Sequence, residues 1–268
     1  IGYVFIFFIL LLEGIYFTAY NLQNAYPLFG TTLSAVTFIF LILVPVLTMK
    51  TIAEERKQKT DQLLLTVPVS VSEIVLGKFL AVATVYAIPV LIICLYPMIM
   101  GKYGTVSYAM AYTAVLGFAL LGFAQIAVGV FWSSVTENPV IAAVVTFIVL
   151  FVCYMITGIG SLIPDSSMAS LACYMLLVLL AAVWIYHMIR NLWIAAVIGI
   201  AGEAALAITY VVKSTLFEGS IQKFLSVFDI TSHFDNFTNG ILDLQGVVYF
   251  LSVIIIFLVL TVQTITKR

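Results

Sequence analysis

The sequence predicts an all-α, polytopic transmembrane helix bundle of about eight spans, with both termini in the cytosol. Three observations carry that prediction: an extreme apolar composition, apolar runs of bilayer length, and basic residues gathered on one side. Of 268 residues, 64% are hydrophobic and 9% charged, and the mean hydropathy is +1.22. Soluble domains carry about a quarter charged residues, so this chain has too little polar surface to cover a water-soluble fold. The lipid bilayer is its first partner. A net charge of −1 provides no basic face for nucleic acid, and that partner class drops out.

A bilayer core takes roughly 20 apolar residues per helix. By that measure the spans run over 3–20, 32–49, 74–100, 108–132, 140–163, 168–187, 192–212 and 247–265. The first run opens at Ile1 with no Met, basic stretch or small-residue cleavage site, so it is not a secretory signal; a cytosolic piece is expected ahead of it. In the third span Pro89 and Pro97 each remove a backbone donor and favour a kink. Gly101 and Gly104 flank a tight outer turn into the fourth. Asn138 and Pro139 open the fifth as N-cap and first helical residue. Residues 188–191 alone separate the sixth span from the seventh, which makes 168–212 a transmembrane hairpin. With the N-terminus inside, the inner loops and tail hold Lys50, Arg56, Lys57, Lys59, Lys78, Arg190, Lys267 and Arg268, and the outer side only Lys102, Lys213 and Lys223. The opposite topology inverts that bias and breaks the positive-inside rule.

Two stretches are not spans. The external stretch 213–246 sets Leu216, Phe217, Ile221, Phe224, Leu225 and Phe228 at helical spacing opposite Glu218, Gln222 and Lys223. That is an amphipathic helix too polar to cross, lying in the outer interface or packed on the bundle. Asp229, Asp235, Asp243 and His233 follow without metal-ligand spacing and read as a solvated loop. Cys94, Cys153 and Cys173 lie inside apolar runs and read as small hydrophobes. No metal or cofactor is expected in this chain.

Glu13 and Glu203 fall within spans, where an unpaired carboxylate is costly and marks a functional candidate. Each lines a translocation path or bonds across a helix interface. For Glu203, flanked by Gly199, Gly202, Ala204 and Ala205 that permit close approach, the interhelical hydrogen bond is preferred.

The cytosolic stretch 50–73 has a dense charged head, a leucine cluster and a proline. The sequence Glu54 to Lys59 continues the second helix into water, with Glu55 and Lys59 paired at i, i+4. Leu63, Leu64 and Leu65 are too few to span a bilayer, and an exposed apolar cluster implies a partner surface. Pro68 stops the helix, and Ser70 with Glu73 forms a capping box that starts the third span. The segment docks a soluble subunit or merely connects two spans; spacing alone leaves both open. Enzyme chemistry has no support: His187 and His233 do not form His-Glu-x-x-His, and no Gly-x-Ser-x-Gly occurs. A stand-alone secondary transporter or channel is the other alternative, without the internal repeat such folds show.

The string Ala53-Glu-Glu-Arg-Lys-Gln-Lys-Thr-Asp-Gln-Leu-Leu-Leu-Thr-Val-Pro-Val-Ser, followed by Glu73-Ile-Val-Leu-Gly-Lys-Phe-Leu80, resembles the coupling region of ABC type-2 permeases. The branch of the gliding-motility and nitrous-oxide-reductase maturation permeases is the most similar. Ser232-His-Phe234, Phe237, Gly240-Ile241, Asp243 and Val248-Tyr-Phe-Leu-Ser252 are similar to the stretch that leads into that family's last span. Two positions depart from the pattern: Lys59 stands where the family has glycine, which predicts a less sharp break after the charged head, and Asn239 stands for arginine. Residues 168–212 have no counterpart in six-span members, and they read as an extra hairpin on a six-span core.

The resemblance implies that 1–268 is one permease domain of an exporter in a prokaryotic plasma membrane. It also implies a second permease, as homo- or heterodimer, and a separate ATPase that binds ATP and magnesium. The coupling residues it points to are Glu54, Glu55, Arg56, Lys57, Thr60, Leu63, Leu64, Pro68, Ser70 and Glu73. The chain is not expected to be an enzyme itself: the pairs Gly77-Lys78 and Gly101-Lys102 lack the remainder of a phosphate-binding loop.

Overall fold

In lipid, a backbone must satisfy its own polar groups, and a chain this apolar does so by helix formation. The computed structural model describes residues 1–60, 69–189 and 191–267, and every regular element among them is helical. Helix α1 (Gly2–Tyr16) continues as a π-helix (Phe17–Gln23), followed by α2 (Phe29–Thr48), α3 (Ala53–Lys57), α4 (Val71–Ile93), α5 (Tyr96–Met100), α6 (Tyr108–Val135) and α7 (Pro139–Ser161). Then come α8 (Ser167–Ile189), α9 (Leu192–Val212), a 3-10 turn (Ser214–Phe217), α10 (Ser220–Ser226), α11 (Ile230–Thr238) and α12 (Leu244–Thr266). The chain divides into two compact units, Ile1–Val152 with Ile230–Arg268, and Cys153–Asp229.

Among the described residues, six helical stretches are long and apolar enough to cross a membrane: Gly2–Gln23, Phe29–Lys57, Val71–Met100, Tyr108–Val135, Pro139–Ser161 and Leu244–Thr266. Within the hairpin, the described stretch Ser167–Val183 is apolar, and Ala196–Val212 passes as a span together with Ser214–Ser226, across a bend of 116°. The described residues thus give six spans, or seven with the bent pair, beside a hairpin whose helices α8 and α9 run 23 and 21 residues.

In the first unit α6 is the central helix, packed against α12, α2, α11 and α4. Its small residues explain why. Without a hydrophobic drive between helices in lipid, close backbone approach and van der Waals contact hold them together. The fully buried Phe237 of α11 fits between α6 and α12. A Cβ at Gly117 would stand 2.5 Å from the Phe237 Cβ, and one at Gly246 2.6 Å from its ring. Tyr86 of α4 is also fully buried; its ring meets Phe40 edge-on at 5.6 Å and its hydroxyl donates to the Phe118 carbonyl at 2.7 Å. A buried tyrosine thus keeps its polar handle satisfied.

Prolines decide where the third span breaks. Helix α4 runs through Pro89 and ends at Ile93. Pro97, inside the first turn of α5, has no N–H for the Ile93 carbonyl, and the Leu95 N–H turns back to Ile92 O at 3.0 Å. At the other end of α1, the π-helical turn brings Asn21 inward. Its amide donates to Tyr26 O at 2.8 Å, and its carbonyl accepts from Thr32 at 2.5 Å.

In the second unit α8 and α9 pack closely: a Cβ at Gly202 would be 2.9 Å from Val178. Within the external stretch 213–246, the helical spacing of Leu216 to Phe228 is divided between two elements. Gly219 takes a left-handed φ of 63° and separates the 3-10 turn from the short α10. Phe217 and Ile221 are buried, while Leu216, Phe224 and Phe228 are exposed. The Phe217 ring lies 6.1 Å from Tyr174 and 5.7 Å from Tyr210. The Gly219 N–H donates to Asp165 O at 3.2 Å and the Gln222 side chain to Ile163 O at 2.9 Å. The chain leaving the hairpin therefore returns to the point where it entered.

Candidate functional site

Helix α3 carries the charged head of segment 50–73, and it is fastened to two neighbouring spans. It follows α2 across a four-residue break, and Phe29–Lys57 forms one apolar stretch, in keeping with the sequence reading. Helix α2 ends at Thr48, residues 49–52 break, and α3 begins at Ala53. Ile52 stands at the N-cap without a side chain able to cap. The Ser133 hydroxyl, from the end of α6, takes over: it accepts from Ile52 N–H at 3.1 Å and Ala53 N–H at 3.0 Å. The same hydroxyl donates to Met49 O at 3.1 Å. One turn earlier, Gly129 lets α6 approach the fully buried Thr48. The Arg56 guanidinium donates to the Ser134 carbonyl.

On the α4 side, the Lys78 ammonium donates to Thr51 O at 3.0 Å and pairs with the Glu55 carboxylate. Glu55 is thus the partner of Lys78, not of Lys59 as i, i+4 spacing suggests. The reason lies in the backbone. Lys59 adopts φ of 57°, leaves the helix, and makes the C′ residue of a Schellman turn. Thr60 N–H bonds Glu55 O at 2.9 Å and Lys59 N–H bonds Arg56 O at 3.0 Å. The break after α3 is therefore sharp, although lysine stands there and not the glycine such a φ favours.

Glu54 pairs with Lys50 at 3.6 Å and accepts from Gln58 at 3.0 Å; Lys57 and Thr60 are exposed. Leu63, Leu64 and Pro68 lie outside the described residues. Ser70 and Glu73 form the full capping box on α4: Glu73 N–H reaches Ser70 Oγ at 3.3 Å and Ser70 N–H reaches Glu73 Oε2 at 2.9 Å. Thus Glu54, Glu55, Arg56, Lys57 and Thr60 come together with Lys78, which the sequence marks as an inner-side cation within the resembling string, and with Ser133, which it marks only as a hydroxyl at the end of an apolar run.

Glu13 and Glu203 have different settings. On α1, Phe5, Ile9 and Glu13 form the buried stripe, and neither Glu13 oxygen has a hydrogen-bond partner. Glu203, on α9 in the second unit, lines an apolar groove of about 600 Å³ with Met175, Leu179, Gly199 and Ile200. Its oxygens also have no partner, so the expected interhelical hydrogen bond is not made. The close glycine approach is present, but it faces Val178 and Ala182, which offer no donor.

Of the residues read as a solvated loop, Asp235 is exposed, while Asp229 and His233 are used in packing. Asp229 is buried and accepts from Thr157. The His233 ring stacks on Tyr249 at 3.9 Å. Asp243 caps α12 through Gln245 N–H at 2.9 Å and accepts from the Asn236 amide at 2.9 Å. Those two donors, the Asn236 amide first, hold its carboxyl below the usual aspartate range.

A polytopic helix bundle whose one charged helix is bolted to its spans is an integral membrane protein. Over residues 10–266 the chain matches the family described as ABC-2 family transporter protein. It belongs to that family, and is a permease component of ABC transporters. No match was found among curated proteins or among solved structures.

Proposed function

We propose that this chain is the permease subunit of an ABC exporter in a prokaryotic plasma membrane, of the gliding-motility and nitrous-oxide-reductase maturation permease-like branch. Segment 50–73 is its cytosolic coupling segment, with Glu54, Glu55, Arg56, Lys57, Thr60, Leu63, Leu64, Pro68, Ser70 and Glu73 as the residues that meet or position the ATPase. A separate ATPase subunit binds ATP and magnesium and supplies the hydrolysis; a second permease, identical or different, completes the pair. The chain itself is a transport subunit and not an enzyme.

The observation that carries this reading is the fastening of α3. A mere connector between α2 and α4 needs no ties to α6, whereas a helix that transmits force to the bundle does. Exchanging Leu63 and Leu64 for glutamate should release a co-purifying ATPase, or abolish its stimulation by this chain, without unfolding the membrane domain. Unchanged complex formation together with unchanged stimulation overturns the proposal. Transport by the purified chain alone, with no ATPase bound, would favour a stand-alone secondary transporter or channel.

A further inference from the structure

We infer that Ser133 is the positioning residue through which movement of α3 reaches the central helix α6. The inference rests on the coupling role proposed above and assigns its point of transmission. A serine hydroxyl offers one proton and two lone pairs. Here all three are in use, two at the start of α3 and one at the end of α2. Ile52 N–H and Ala53 N–H, orphan donors of a helix start, bind it at 3.1 and 3.0 Å, and Met49 O receives its proton at 3.1 Å. One side chain thereby links the end of α2, the beginning of α3 and the end of α6.

Ser133 is fully buried, as are Thr48 and Ala53, so water does not take its place at these amides. Arg56, bound to the Ser134 carbonyl, adds a second tie between α3 and α6. Lys78 ties the opposite side of α3 to α4 through Thr51 O and Glu55. Displacement of α3 is therefore shared by both spans, and α6 carries it into the core, where α12, α2 and α11 pack on it. A buried hydroxyl kept only for its own helix looks different: Thr261 of α12, also fully buried, bonds merely to Phe257 O in its own turn, at 2.7 Å.

The test uses the full chain with its ATPase in lipid nanodiscs, read by co-purification and amide hydrogen exchange with and without ATP. Ser133→Ala should keep the ATPase bound at wild-type ratio, raise exchange at Ile52 and Ala53 at least tenfold, and remove the ATP-dependent exchange change in α6. Ser133→Thr, which keeps the hydroxyl, should restore most of that change, and Thr261→Val, which deletes an equally buried one, should leave it intact. An unaltered ATP response of α6 in Ser133→Ala overturns the inference. So does loss of the ATPase from that variant, which would make Ser133 part of the docking surface. If Ser133→Ala does not fold, the same readouts on Ser133→Cys decide, because the thiol fills the space but bonds weakly. A wild-type chain that binds no ATPase overturns the coupling role itself, a distinct result.

Discussion

At the scale of single residues, Lys59 bears a local conflict. A non-glycine residue in the left-handed region costs roughly 1 kcal/mol, and the Schellman turn after α3 demands that region. Lys59→Gly should stabilise the turn by about that amount, slowing exchange of the Thr60 amide about fivefold; Lys59→Val should speed it. Asp243 gives a pH-dependent counterpart. Its carboxyl is held below its ordinary value in the folded chain, so the cap contributes stability above the unfolded aspartate pKa of about 4 and loses it as pH falls through the lower folded value. Protection of the Gln245 amide should accordingly fall below pH ~4, and Asp243→Asn, still an N-cap former, should remove that pH dependence. A profile unchanged by the substitution would exclude Asp243 as its source.

At the scale of elements, the sequence is readable wherever the cause is local. Apolar runs mark the six spans found among the described residues, Ser70 with Glu73 marks the start of α4, and Asn138 caps α7 by accepting from Val140 N–H at 2.9 Å. What escaped sequence reading depends on distant partners. Ile52 is an unpromising N-cap, and the residue that does its work is Ser133, 81 positions away. Likewise the pairing of Glu55 follows from where Lys78 stands and not from spacing along α3. The helical spacing of Leu216 to Phe228 is interrupted for a local reason, the left-handed Gly219, whose effect hydrophobic periodicity does not register. Helix α11 rests on the shape of its neighbours. Gly117→Leu would collide with Phe237 and should cost about 2 kcal/mol by overpacking, lowering the thermal midpoint in detergent. Gly77→Leu should leave it nearly unchanged, because a Cβ there meets nothing within 4 Å.

At the scale of the whole molecule, the two units hold different parts: the first holds α3 with its ties, the second holds the hairpin. A hairpin that leaves where it entered keeps the sidedness of both flanks as it was. Because Gly219 N–H bonds Asp165 O, excising 167–217 and closing the gap with a short Gly-Ser link should yield a chain that still inserts, folds and binds the ATPase. Co-purification at the wild-type ratio is the expected result; loss of the ATPase from a correctly inserted chain would give the hairpin a part in coupling. The meeting of Asp165 with Gly219 also makes the site a doorway. Anything built to begin and end at adjacent points, whether a pair of helices, a fluorescent reporter or a folded domain, can be passed through it without stretching the frame. A lineage of such permeases can thus acquire or discard a module at this position in a single genetic step, while the joint around Ser133 stays as it is.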